Sequence, residues 1–375
     1  EKYAKTHDDF VIVSEAWTEL YMTNKTLRDH VYMGWQKDLL REQLLDKELI
    51  SPEPYRLNAY FTQRANLIQA FDMIINDLGD DVPETGEINI DLSKEEQITG
   101  HNLVGEVRQV TGKDKVVVFQ PFGQSVKNEG QFIYDTSGRS FEMTNTLDLL
   151  AELNKNYAII VMTQLDIPSW QEMGIAMPKD MGLNQWMGVI NAADYFLGCD
   201  SVGQHMANAV GKPATVVIGS TYPENISYPK NKKFTIIDNG KDKRRYTPIR
   251  LTMDVFTDRN NEDLMVIDKD AIKSITKSIK DKIGVSKTTN DSIGLKQSDT
   301  KKLLKPNPKA FKPSSSKKVC DDKNSGSYPK KPMVPFEKKS VGGTVKYNGF
   351  QKPKALKEDN RKPIDKLLDI EAKKV

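Results

Sequence analysis

Between Asp194 and Thr221 the chain sets its polar residues at the ends of apolar runs, where they could act together on one ligand. Residues 195–199 (Tyr-Phe-Leu-Gly-Cys) form a short apolar run of the kind that builds a buried parallel strand. Asp200-Ser201 can cap a helix from about residue 203 to residue 210, which Gly211 closes in a left-handed conformation and Pro213 stops. Residues 214–218 make the next buried strand, with Gly219-Ser220-Thr221 at its exit. A right-handed crossover of this type brings Asp200, Ser201, His205, Ser220 and Thr221 to the carboxyl edge of a sheet. Backbone N–H groups from Ser201 to Gln204 would face the same crevice and favour an anion, above all a pyrophosphate.

The pattern Asp200-Ser201-x-Gly203-x-His205-x-Ala207-x-Ala209, followed by Pro213 and a Val-Val-Ile-Gly-Ser-Thr strand exit, resembles the donor-binding signature of family 9 glycosyltransferases. These are the ADP-heptose:lipopolysaccharide heptosyltransferases and their relatives. One departure is plain: Val202 stands where the family has Gly. The resemblance implies an α/β fold of GT-B type, two facing Rossmann-like doubly wound parallel-sheet domains with the donor held by the second. It implies metal-independent transfer of a heptose or similar sugar from an ADP-heptose-like or UDP-sugar donor to a glycan or lipid acceptor, with no cofactor. Val202 motivates a second expectation, a catalytically degenerate scaffold that binds a glycan or partner. A weaker one is a sugar-nucleotide epimerase of similar two-domain fold.

Such a transfer develops negative charge on the departing diphosphate, which Lys, Arg, His and backbone N–H groups can stabilise. By the resemblance, Asp200 contacts hydroxyls of the transferred sugar, and His205 reaches a phosphate or a sugar hydroxyl. Arg139, in Arg139-Ser140-Phe141, matches the family's basic residue ahead of a helix, with Lys127 as the rival. Ser201, Gly203 and Gln204 belong to the diphosphate side, and Gly123, Gln124 and Ser125 could approach the phosphates from the opposite loop. Met181 resembles a residue beside the nucleotide base, Gln164 sits where relatives contact the ribose, and Ser220 and Thr221 complete the edge. Each has a plain alternative: a helix cap, a solvated charge, or a core methionine. The family's general base lies in a first loop that, on this comparison, precedes Glu1; Glu15, the one strand-exit carboxylate left in the first domain, reads as structural.

The elements that must position these residues follow from periodicity. Strands are expected at residues 10–14, 31–33, 88–90, 116–119, 157–162, 195–199, 214–218 and 234–237. Residues 57–78 have the spacing of one amphipathic helix; further helices are expected within 18–27 and at 145–153, 184–192 and 270–283. Residues 80–99 otherwise read as an acidic loop, and residues 120–132 as a loop. The resemblance implies that the last helix packs back toward the first domain. The division is 1–112, a partial acceptor-side domain; 113–284, a donor-binding domain; and 285–375, a Lys- and Pro-rich tail expected to be disordered.

Charge is uneven along the chain. Residues 301–375 hold 21 Lys and Arg against 8 Asp and Glu, a surplus of 13; with +3 overall, residues 1–300 carry −10. The tail could therefore meet an anionic membrane surface, while its interleaved aromatics tolerate nucleic acid without pointing to it. The two cysteines form no disulfide framework, and no apolar segment is long enough to span a bilayer. A cytoplasmic protein, peripheral at the inner face of a membrane, is the expectation. The 4 histidines lack metal-ligand spacing, and Asp268-Lys269-Asp270, although an Asp-x-Asp string, heads a helix where acids favour the dipole.

Overall fold

The computed structural model describes residues 1–287 apart from 17, 87, 89, 130–131, 136, 245–249, 253–254 and 257–261. Two short parallel strands, β1 (Ile12–Ser14) and β2 (Val31–Met33), flank the single-turn helix α1 (Glu19–Met22). The expected helix over residues 57–78 is broken into α2 (Asn58–Phe61) and α3 (Leu67–Ile75). Gln63 takes a left-handed conformation (φ 61°) between them, and Asn66 restarts the helix through a capping box with Gln69.

Helix α4 (Lys94–Thr111) replaces the end of the expected acidic loop, opened by a Ser93–Glu96 capping box and closed by Gly112 at φ 67°. Ile88 and Ile90 are in no strand; Ile90 packs instead on the core beneath α4. Then come β3 (Val116–Gln120), the hairpin β4 (Val126–Glu129) and β5 (Phe132–Asp135), α5 (Met143–Leu153), β6 (Ala158–Val161) and the short α6 (Pro168–Glu172). The hairpin stands where residues 120–132 read as a loop, because β4 is too polar to announce a strand. The chain continues through α7 (Leu183–Ala192), β7 (Tyr195–Gly198), α8 (Val202–Ala209), β8 (Ala214–Ile218), α9 (Pro223–Ile226), β9 (Phe234–Asp238) and α10 (Lys269–Ile283).

The five main strands form one parallel sheet in the order β6-β3-β7-β8-β9. β3 is followed in sequence by β6 on one side and is bordered by β7 on the other, so the strand order reverses between β3 and β7. Clefts at such a reversal, outside the carboxyl ends of the strands, are where open α/β sheets bind ligands. Both faces are covered, which explains the unbroken apolar runs. Val117, Phe119, Tyr195 and Leu197 face α5 and α10, whereas Val116, Val118 and Phe196 face α4, α7 and α8. Burying each of Leu149, Leu150 and Leu153 contributes roughly 1.5–3 kcal/mol.

Helix α10 lies against β8, β9 and α5 through Ile275 and Ile279, so it covers its own sheet. Just beyond it, Ser286 Oγ and the Lys287 N–H both donate to Asp114 Oδ1. The rest of the tail, from residue 288, lies outside the described residues. Among the described residues, no helix is long and apolar enough to cross a membrane.

Helices α4 and α7 touch backbone to backbone. A Cβ on Gly100 would fall on the Gly188 carbonyl, and one on Gly188 would fall on the Glu96 carbonyl. Gly100→Ala therefore forces the two helices apart and should lower stability by roughly 1–3 kcal/mol. Thermal unfolding checks this; an unchanged Tm would refute the backbone contact.

Candidate functional site

The carboxyl ends of β3, β7 and β8 converge on Asp200. Its carboxylate is only 6% exposed and is matched on both oxygens. Gln204 Nε2 donates to Oδ1 at 3.1 Å, and Thr221 Oγ1 donates to Oδ2 at 2.8 Å. A buried carboxylate without such donors would be costly. Each oxygen still keeps acceptor capacity, because a carboxylate offers about four lone-pair sites.

The start of α8 differs from the expected cap. Ser201 is the cap residue, but neither it nor Asp200 bonds the first-turn amides through its side chain. Gln120, at the end of β3, does so from across the strand reversal: its Oε1 accepts from the Gly203 N–H at 2.9 Å, and its Nε2 donates to Ser201 Oγ at 3.1 Å. Gly203 is thus used for close packing, since a Cβ there would strike Phe196 and Gln120. The Gln204 N–H bonds the Ser201 carbonyl, and its side chain is fully buried between Asp200 and Ser227. Of the four amides expected to face an anion, those of Ser201 and Val202 remain without a partner among the described residues.

His205 lies one turn further on. Its Nδ1 is 2.7 Å from the Tyr228 hydroxyl, and the two rings meet edge to face. Burial holds its pKa below the ordinary 6.5, with the nearby Asp200 charge pulling the other way. The ring is therefore neutral at pH 7.

Residues 166–249, which include α7, β7, α8, β8 and β9, match the family model of glycosyltransferase family 9 (heptosyltransferase). Three solved structures resemble the chain at low identity. One is the E. coli ADP-heptose LPS heptosyltransferase II (13% identity, TM-score 0.40, covering 74% of this chain and 78% of that one). Another is E. coli heptosyltransferase WaaC with ADP (15%, TM-score 0.32, 56% and 55%). The third is the iron-containing dodecameric glycosyltransferase TibC from enterotoxigenic E. coli (10%, TM-score 0.46, 75% and 71%). This chain thus spans about half the length of WaaC. No curated protein matches its sequence.

Beside the segment that matches family 9, a second carboxylate organises the loop after β3. Asp135 accepts five hydrogen bonds, from Ser125 Oγ and from the N–H and Oγ of both Ser137 and Ser140. Burial alone would raise its pKa, but these donors outweigh it and hold the group down to about 2. Gly123 N–H donates to Ser140 Oγ, so Gly123 and Ser125 are engaged within the loop. Arg139 is positioned by the same network, its Nε donating to Ser137 Oγ at 3.0 Å. Ser220 joins it by donating to the Ser137 carbonyl.

Asp200, Ser201, Thr221 and Ser220 are therefore gathered at one edge, with Arg139 tied to the same network through Ser137. Met181 packs on the core ahead of α7, and Gln164 and Gln124 are exposed on loops. Lys127 is on β4, and its side chain lies outside the described residues. Glu15 is exposed at the exit of β1. Asp268 caps α10 by accepting from the Asp270 and Ala271 N–H groups, and no metal-holding cluster occurs among the described residues. Gln120, Asp135 and Tyr228 were not singled out in the sequence. Gln120 had a signal, a polar side chain ending the apolar run of β3; the other two are joined to the site only by folding.

A group held at a depressed pKa stabilises the fold fully above its ordinary value of 3.8 and loses that effect as pH falls toward 2. Asp135→Asn should accordingly lower Tm at about pH 6, and the gap from the parent should narrow progressively below about pH 4. A gap that stays constant with pH would contradict the ionised hub.

Proposed function

We propose that this protein is a metal-independent glycosyltransferase that moves a heptose or related sugar from a nucleotide-diphosphate donor to a glycan or lipid acceptor. The observation that carries the reading is Asp200, a matched buried carboxylate at the strand reversal, inside the segment that matches family 9. Thr221 donates its proton to Asp200, which leaves its own oxygen an acceptor, and on this reading both it and the carboxylate accept from sugar hydroxyls. Arg139 and the amides of Ser201 and Val202, which have no partner among the described residues, supply the partners for charge developing on the leaving diphosphate. On this reading the protein is cytoplasmic, and the basic tail adds contact with an anionic membrane surface.

Titration with a panel of ADP- and UDP-sugars should show binding, and Asp200→Ala should cut transfer about a hundredfold or more. Arg139→Ala should weaken donor affinity about tenfold. Transfer should persist in EDTA; loss that added Mg²⁺ or Mn²⁺ restores would refute metal independence. Absence of binding across the panel would refute the whole proposal.

One observation favours a second reading, a scaffold that binds a sugar nucleotide without turning it over: the Gly203 amide is already occupied by Gln120. Measurable donor affinity with no product from any acceptor would select it.

A further inference from the structure

The residues that lead out of β5, Asp135-x-Ser137-Gly138-Arg139-Ser140, wrap around one carboxylate and leave one cation outside it. Asp135 Oδ1 accepts from the Ser137 N–H two residues on, and the Gly138 N–H bonds the Asp135 carbonyl. Gly138 takes φ 62°, which turns the chain back so that the Arg139 side chain can reach Ser137. The far end of the loop is pinned by the Phe141 N–H, which donates to the Pro121 carbonyl. Arg139 Nε only donates, so Ser137 Oγ accepts from it at 3.0 Å. The single Ser137 hydroxyl proton then goes to Asp135 Oδ1, 2.6 Å away, a stronger acceptor than the Ser125 hydroxyl at 2.8 Å. A neutral hydroxyl therefore stands between carboxylate and guanidinium. Among the described residues Arg139 makes no ion pair, and neither of its Nη groups has a partner.

We propose that Ser137 is a positioning residue that holds Arg139 by its Nε alone, so that the Nη pair meets one oxygen from each phosphate of a nucleoside diphosphate. The ligand half rests on the donor-binding reading above; the way Arg139 is held does not. A guanidinium is planar, so fixing Nε leaves its outer end as a rigid fork matched to two oxygens. A direct pair with Asp135 would have turned those donors inward and cancelled the charge. The hydroxyl spacer passes on the carboxylate's grip without its charge. Lysine has no second nitrogen to anchor and would offer only a point charge. Ser220 donates to the Ser137 carbonyl, and its neighbour Thr221 donates to Asp200, so the loop is tied to the edge that holds the site.

Calorimetric titration of the full chain with ADP and with AMP, which differ by the second phosphate, tests the fork. The parent should prefer ADP. Ser137→Ala and Arg139→Lys should each weaken ADP binding about tenfold and leave AMP binding nearly unchanged, because one leg of the fork is lost. Ser137→Thr keeps the hydroxyl and should restore the parent values, and Ser137→Ala should cost nothing more in an Arg139→Ala background. Without ligand, ¹⁵N NMR near neutral pH should show a slowly exchanging Arg139 Nε–H, assigned by Arg139→Lys and lost in Ser137→Ala. A parent with no preference for ADP, equal losses for both nucleotides, or a full effect of Ser137→Ala in the Arg139→Ala background overturns the fork. Parent-like ADP binding by Ser137→Ala does the same. A freely exchanging Nε–H in the parent overturns the hold itself. A protected Nε–H in a parent that binds neither nucleotide refutes the donor-binding reading and leaves the hold standing.

Discussion

A negative charge removed from water must be answered by donors, and the Asp200 carboxylate is where this chain meets that requirement most sharply. Its two donors come from different elements, Gln204 on α8 and Thr221 beyond β8. Gln204 is itself held by Ser227 past α9, so satisfying one carboxylate draws together the exits of β7 and β8 and the turn after α9. Gln120 adds β3 to the set from across the strand reversal. Asp135 plays the equivalent part for the loop that carries Arg139, and Ser220 links the two groups. The edge of the sheet is therefore organised around two anions whose partners are nearly all uncharged. That leaves the cationic side chain and the unpartnered amides available to something else.

Much of the sheet was legible because a parallel strand covered on both faces must be apolar at every position. β3, β6, β7, β8 and β9 all satisfy this, and α5, α7, α8 and α10 follow from period and caps. The misses have definite causes. Helix α4 hid because its buried face is made of Gly100, Val104 and Val107, too little apolar surface to stand out among Lys, Glu and Gln. The β4–β5 hairpin hid because Val-Lys-Asn-Glu has no alternation worth the name. The break between α2 and α3 depends on one left-handed Gln63, a residue type that rarely takes that conformation.

The candidate site divides along similar lines. Asp200, Ser201, Ser220 and Thr221 could be placed together because strand exits in a parallel sheet share an edge. What each does with its hydrogen bonds could not be read, since their partners are set by packing. Gly203 and Gln204 look like ligand residues by spacing, yet one is pressed against Phe196 and the other is sealed between Asp200 and Ser227. Tyr228 is 23 residues from the His205 it touches, and only the crossover through β8 brings them together.

Asn225, on α9, has a consequence of its own for how the polypeptide matures. Its buried Nδ2 donates to the carbonyls of Tyr60 and Ala65, 165 and 160 residues away in sequence. As the chain leaves the ribosome, the Tyr60 carbonyl can already accept from the Gln63 N–H in its own turn, but the Asn225 bonds to it and to Ala65 form only once α9 has been synthesised. The segment around α2 thus draws two of its backbone hydrogen bonds from a part of the chain made much later.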